Sequence, residues 1–270
     1  MTNANQYGLS RSIAAAAKRE VRQRCGFGCV KCGAALYQYE HLDPPFAEAR
    51  FHDPSAIDLL CGGCHDLVSR GLLSKETVRR CAALPKCKEQ GFSFGPFDVA
   101  EGNIHTTIGT AKFEDVTHLL QVAGKNIFSL TKSEEEGAPM NLNAYFCDQD
   151  GNEILSVIDN EWLTPTTNWD VEIIGKRISI RRDHGDIALI FRAESPNHFV
   201  VERLNMYHKG TRLECEENKH ITVTTLSGLK LQISMVRITG SIFGAVINDS
   251  HIMLGIGGGS VAFSGSVNDG

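Results

Sequence analysis

Cys29-Val-Lys-Cys32, then Tyr39-Glu40-His41-Leu42-Asp43-Pro44, then Cys61-Gly-Gly-Cys64-His65: these three stretches decide how the first hundred residues read. Two Cys-x-x-Cys pairs can close one tetrahedral metal site, and four thiolates leave no coordination position open, so such a site is structural. Cys25 is an alternative to Cys29 as a ligand, with poorer spacing. The 28 residues between Cys32 and Cys61 have room for a strand and a loop. Adjacent side chains on a helix point about 100° apart. If Cys64 faces the metal from a helix start, His65 therefore faces elsewhere. Glu40 offers the oxygen ligand that a hard divalent ion requires. A neutral imidazole at His41 can take a proton from water near pH 7. Successive residues of a regular strand face opposite ways, so Glu40 and His41 are expected to share one site only where the strand twists or bulges.

Outward from these motifs, the 270-residue chain is long enough for one large domain or two ordinary ones. Its 42% hydrophobic and 22% charged residues are those of a soluble globular protein. No apolar run approaches the roughly 20 residues of a membrane helix, and Ala14 to Ala17 run straight into Lys18, Arg19 and Glu20, unlike a signal-peptide core. The expectation is a cytoplasmic protein with no membrane partner. The odd count of 9 cysteines argues against a disulfide framework; Cys81, Cys87, Cys147 and Cys215 read as buried hydrophobes or free thiols. Charge is uneven: residues 1–100 carry 13 Lys+Arg against 10 Asp+Glu, and residues 101–270 carry 14 against 22. The first part can approach a polyanion, and the second repels one.

Residues 10–24 read as a helix that Ser10 or Ser12 caps and Gly26 ends. Lys18, Arg19, Arg22 and Arg24 give its second half a basic surface, either a solvated face or a contact for a phosphate backbone. A strand is expected over about 35–41, a helix from Gly63 to about Arg70, and another over 75–84, with Ser74 as cap and Pro85 beyond. Residues 91–103 read as a linker with apolar anchors. Beyond it, strand-like runs recur at 142–147, 153–158, 173–180, 186–191, 198–205, 220–225, 229–238 and 242–254, with turns such as Asp150-Gly151 and Asp183-His-Gly185 between them. No helix is expected after residue 120. The fold class is therefore α+β: a zinc domain over 1–90, the linker, and an all-β domain over 104–270, either a sandwich or a short β-solenoid.

The order Cys-x-x-Cys, acidic residue and His, then Leu-Cys-x-x-Cys-His over residues ~20–75 resembles the HNH endonucleases, a zinc-stapled ββα-metal fold. The resemblance implies that Cys29, Cys32, Cys61 and Cys64 hold a structural Zn2+. It implies that Glu40 and His65 hold a catalytic Mg2+ or another divalent metal, and that His41 is the general base of DNA hydrolysis. Lys18, Arg19, Arg22 and Arg70 become candidate contacts to the nucleic acid. The chain departs from the family at Glu40, where Asp is usual, and at Val68, where a basic residue is common. It departs most at Ala56, where the family's middle Asn orients the base; Asp58, Asp53 and His52 are the nearby substitutes. The β half carries both tryptophans, Trp162 and Trp169, and no readable motif. Its expected role is regulation, sensing or assembly into a homo-oligomer, and family association adds a role in defence. A zinc ribbon that grips nucleic acid without cutting, and an assembly protein with a zinc appendage, are the alternative readings.

Overall fold

The structure is a computed structural model that describes residues 4–264. It is a mixed α+β fold, mostly β, divided into two compact units. The first runs to Gly95 and includes Thr164–Ile173; the second is Pro96–Leu163 together with the chain from Ile174 onward. This differs from the expected boundaries. The linker stretch 91–103 contains a strand, and ten residues assigned to the all-β half belong to the first unit.

In the first unit, α1 (Ala15–Cys25) starts later than expected. Ser10 does not cap it: its hydroxyl accepts instead from Ser12 N at 3.1 Å, and Ala14 occupies the cap position without a side-chain bond. Gly26 ends the helix in the left-handed conformation, φ 74°, and its N–H donates to Arg22 O. β1 (Tyr37–His41) pairs antiparallel with β2 (Ile57–Cys61), from Tyr37 opposite Cys61 to His41 opposite Ile57, with no shift of register. Cys61 then caps α2 (Gly62–Ser69), giving a β-β-α order. α3 (Lys75–Ala83) begins at Ser74, whose hydroxyl accepts from Thr77 N, and α4 (Lys86–Gln90) follows Pro85. β3 (Phe92–Pro96) passes the first knuckle, where Ala35 N donates to Phe94 O at 2.8 Å. One hydrophobic cluster, including Val21, Val30, Ile57, Leu59, Leu60 and Val78, sits under these elements. Burial of such side chains stabilises by about 1.5–3 kcal/mol each.

Segment 164–173 closes the unit. Thr166 N donates to Gly91 O at 2.8 Å, the Ser93 and Thr164 hydroxyls meet at 2.6 Å in the interior, and Gln23 donates to Trp169 O. Asp170, fully buried, takes a two-pronged bond from Arg22: Nε to Oδ1 at 2.8 Å and Nη2 to Oδ2 at 2.8 Å.

The second unit is built of strands, with no helix among the described residues. One open sheet runs in the order Ile252–Ile256, Phe243–Ile247, His118–Val122, Lys125–Thr131, Asn141–Cys147, Glu153–Ile158 and Glu161–Pro165. The other contains Arg177–Asp183, Asp186–Glu194, His198–His208, His105–Ile108, Ala111–Glu114, Val236–Thr239 and Ser260–Phe263, with three further strands continuing from His198–His208. Two runs read as single strands are each broken in two, 229–238 and 242–254. Met235 (φ 47°) and Ser250 lie in the respective breaks. Phe128 of one sheet touches Phe191 of the other, centroids 6.1 Å apart, so the aromatic core lies between the two sheets. No described helix is long and apolar enough to cross a membrane.

Candidate metal and catalytic centre

The two knuckles meet. The sulfurs of Cys29, Cys32, Cys61 and Cys64 all lie within 4.8 Å of one another, and Cys32 Sγ is 3.6 Å from Cys61 Sγ. Four sulfurs tetrahedrally placed about 2.3 Å from a zinc ion are about 3.8 Å apart, so the cluster has the size and the chemistry to hold a metal ion such as zinc. Backbone geometry builds it locally. Gly33 (φ 87°) turns the chain so that its N–H reaches Cys29 O, and Cys64 N donates to Cys61 Sγ at 3.4 Å. The Cys32 thiol bond, opposed by burial and aided by the N–H groups of Cys61, Cys32 and Lys31, lowers the Cys29 thiol, while the same contact and burial raise its partner Cys32. A thiolate is the form that binds metal. Cys25 is elsewhere: burial and nearby Asp58 push its thiol up to about 12, and its Sγ faces Asp58 Oδ1 at 3.7 Å.

Glu40 and His65 come together from β1 and the first turn of α2, with Glu40 Oε2 3.1 Å from His65 Nε2. Two donors at right angles about 2.1 Å from one ion are about 3.0 Å apart. At 3.1 Å the two groups are also within direct hydrogen-bonding distance, and among the described residues no third ligating side chain joins them. His65 is about a third exposed, so the pair is open to solvent.

His41 belongs to a different pair. Its Nε2 is 3.0 Å from His52 Nδ1, and His52 Nε2 is 2.8 Å from the Ser10 carbonyl. β1 carries no bulge at Glu40-His41, and strand alternation sends the two side chains to different partners. Phe46 packs edge-on against His41 and stacks on His52, with 12° between ring planes. Burial first, then the repulsion that His41 and His52 would exert on each other if both rings were charged, and then the positive charges of Arg11 and Lys75, drive His41 down to about 4, so its imidazole is neutral at pH 7.

Of the three substitutes for the Asn missing at Ala56, two are committed elsewhere. Asp58 is buried and bound by Arg24 Nη1 at 2.6 Å; Asp53 caps the short turn Pro54–Ala56 by accepting from Ser55 N. His52 alone of the three contacts His41.

The basic candidates divide. Arg22 is corrected: at 2% exposure it is the interior partner of Asp170 and Tyr39 and cannot meet a phosphate backbone. Arg19 lies over the Trp169 ring at 4.7 Å and near Asp170, and Arg24 is held by Asp58 and the Pro54 carbonyl. Lys18 sits 5.7 Å from the Tyr39 ring centre, and Arg70 is exposed, paired with Asp66. Two cations that no motif singles out stand closer to His41. Lys75 Nζ donates to Leu42 O at 3.1 Å and to His41 O at 3.3 Å, and exposed Arg11 lies 4.5 Å over Phe46. Phe46 and Arg11 have no spacing that ties them to His41; folding of the loop after Pro44 brings Phe46 and His52 there, and Arg11 reaches Phe46 from the stretch before α1.

No protein-family model, no curated protein and no solved structure matches the chain.

Proposed function

We propose that the first unit is a zinc-stabilised endonuclease of HNH type that hydrolyses phosphodiester bonds in DNA. His41 is its general base, and Glu40 and His65 hold a divalent ion such as Mg2+. The observation that carries this reading is the 3.1 Å approach of Glu40 and His65, one residue along β1 from a buried neutral imidazole. The side chains of Glu40 and His41 leave β1 on opposite faces, so the reading requires a phosphodiester group to meet both side-chain pairs at the end of the strand, where His41 is the last residue. His41 takes a proton from the attacking water, whose oxygen bonds to phosphorus as the bond to the 3′ oxygen breaks. Glu40 and His65 would hold the divalent ion, whose charge would stabilise the phosphate and the leaving oxygen when it is bound. Arg11 and Lys75 add positive potential where a phosphate backbone would lie. The four-cysteine site does no chemistry; it fixes the start of α2, and so His65, against β1.

The second unit fits a module for assembly into a homo-oligomer. Met253 and Phe263 are exposed on the outermost strands Ile252–Ile256 and Ser260–Phe263, and exposed apolar side chains on edge strands suit association between copies. A monomer by light scattering at micromolar concentration overturns that assignment. For the nuclease, purified protein is incubated with plasmid and Mg2+, Mn2+ or Ni2+ beside a His41→Ala variant. Metal-dependent cutting that vanishes in the variant supports the reading. DNA binding without cutting, unchanged by His41→Ala, replaces it with a non-cleaving zinc ribbon.

A further inference from the structure

We infer that His52 is a positioning residue for His41, and that the Ser10 carbonyl sets the hydrogen positions on both rings, leaving Nδ1 of His41 as the atom that accepts a proton. A carbonyl can only accept. Nε2 of His52, 2.8 Å from Ser10 O, therefore carries the hydrogen. A neutral His52 then presents a lone pair at Nδ1, and His41 Nε2, 3.0 Å away, donates to it. His41 is thereby fixed as the Nε2–H tautomer. When Nδ1 takes a proton, the positive ring still donates from Nε2 to His52, and that bond strengthens with charge.

The relay is braced at each end. Asn5 Nδ2 donates to Phe46 O at 2.7 Å and Ala49 O at 2.6 Å, and Asn5 Oδ1 accepts from Tyr7 N and Leu9 N. Ser10 bridges back to Ala4, which pins its carbonyl over the loop. Phe46 touches both imidazoles and limits their rotation. The stretch before α1 thus belongs to the base's support, a role that the resemblance would give to an Asn where this chain has Ala56. The catalytic meaning rests on the nuclease reading; the tautomer does not.

The test uses the full chain in three forms: wild type, His52→Phe, and His52→Gln. Phe keeps the ring packing and removes both hydrogen bonds. Gln restores an acceptor for His41 and a donor for Ser10. Histidine 15N NMR at neutral pH is expected to show His41 as the Nε2–H tautomer in wild type and His52→Gln, and a mixture in His52→Phe. Cleavage kcat is expected to fall about 10²-fold in His52→Phe, with KM for DNA little changed, and to recover to within about tenfold in His52→Gln. Unchanged bound zinc shows that the variants are folded. Wild-type His41 as the Nδ1–H tautomer overturns the proposal, as does full cleavage by His52→Phe. The expected tautomers in a protein that cuts no DNA support the relay and overturn the nuclease reading instead. Should His52→Phe not fold, the wild-type tautomer and the His52→Gln rate still decide.

Discussion

Replacing Asp170 by Ala is expected to destabilise the first unit by about 3 kcal/mol. Asp170 is fully buried and receives both prongs of the Arg22 fork at 2.8 Å, while Arg22 itself is 2% exposed. Burial is the largest single influence and works against the guanidinium charge, but the hydrogen bonds and charges of Asp170 and Tyr39 together outweigh it and raise the arginine's pKa. Removing one partner of a buried ion pair costs about 3–5 kcal/mol, because the other charge stays in the interior uncompensated. Here the loss sits at the low end, since Glu172 lies 3.0 Å from Arg22 Nη1 and the Tyr39 hydroxyl 3.1 Å. About 3 kcal/mol is roughly a 150-fold change in the folding equilibrium. The double variant Arg22→Met/Asp170→Ala removes both charges, so its loss is expected to be smaller than that of Asp170→Ala alone. The assay is urea unfolding followed by Trp169 fluorescence in a Trp162→Phe background. Trp169 is in the first unit beside Arg19, whereas Trp162 belongs to the second. A cost below about 1 kcal/mol for Asp170→Ala, or a double variant as unstable as the two single losses added, would refute the account of this pair.

Metal analysis is expected to return one zinc per chain, lost in Cys61→Ser and Cys64→Ser and kept in Cys25→Ser, because Cys25 Sγ faces Asp58 rather than the cluster. Gly28→Ala is expected to lower the urea midpoint, at a cost of about 1–3 kcal/mol. A Cβ there would stand 2.8 Å from both Cys87 Sγ and Gly33 O, next to the first knuckle. In the second unit, burial lowers His118 and His208, and no described group hydrogen-bonds to His118 Nδ1 or His208 Nε2. The unfolded chain, whose histidines titrate near about 6.5, then binds protons more readily than the folded one. Stability should be flat above that pH and fall as pH drops below it. Urea midpoints at pH 7.5 and 5.5 check this, and His118→Phe should reduce the fall.

The metal cluster was legible because metal ligation imposes a local rule: two ligands two residues apart on each of two turns, which Cys29, Cys32, Cys61 and Cys64 display in the chain itself. Two helix ends, those set by Gly26 and Ser74, were legible for a similar reason, whereas the start of α1 was not. Gly26 and Ser74 act through their own backbone and hydroxyl, on groups within four residues. Arg22 was misread because a basic residue on a helix looks alike whether it faces solvent or a carboxylate 148 residues away. The hydrophobic period of α1 does not encode Asp170. His52 was only one of three candidates, since the choice among Asp53, Asp58 and His52 depends on which carboxylates Arg24 and Ser55 have already engaged. The strand period, in contrast, carried real information. Alternation along β1 separates Glu40 from His41, and the structure partners each with a different histidine.

Because the first unit is completed by segment 164–173, its assembly has an order in time. Arg22 leaves the ribosome 148 residues ahead of Asp170. At about 5–20 residues per second, that is an interval of roughly 7–30 s. Throughout it the guanidinium lacks the carboxylate that lets it enter the interior, while the strands from Pro96 to Leu163 are being made. The knuckles and β1 can form early, but the helix that packs beside them is locked down only after that much of the second unit exists. A nascent chain stopped short of residue 170 therefore carries the metal-binding motifs without the finished unit around them.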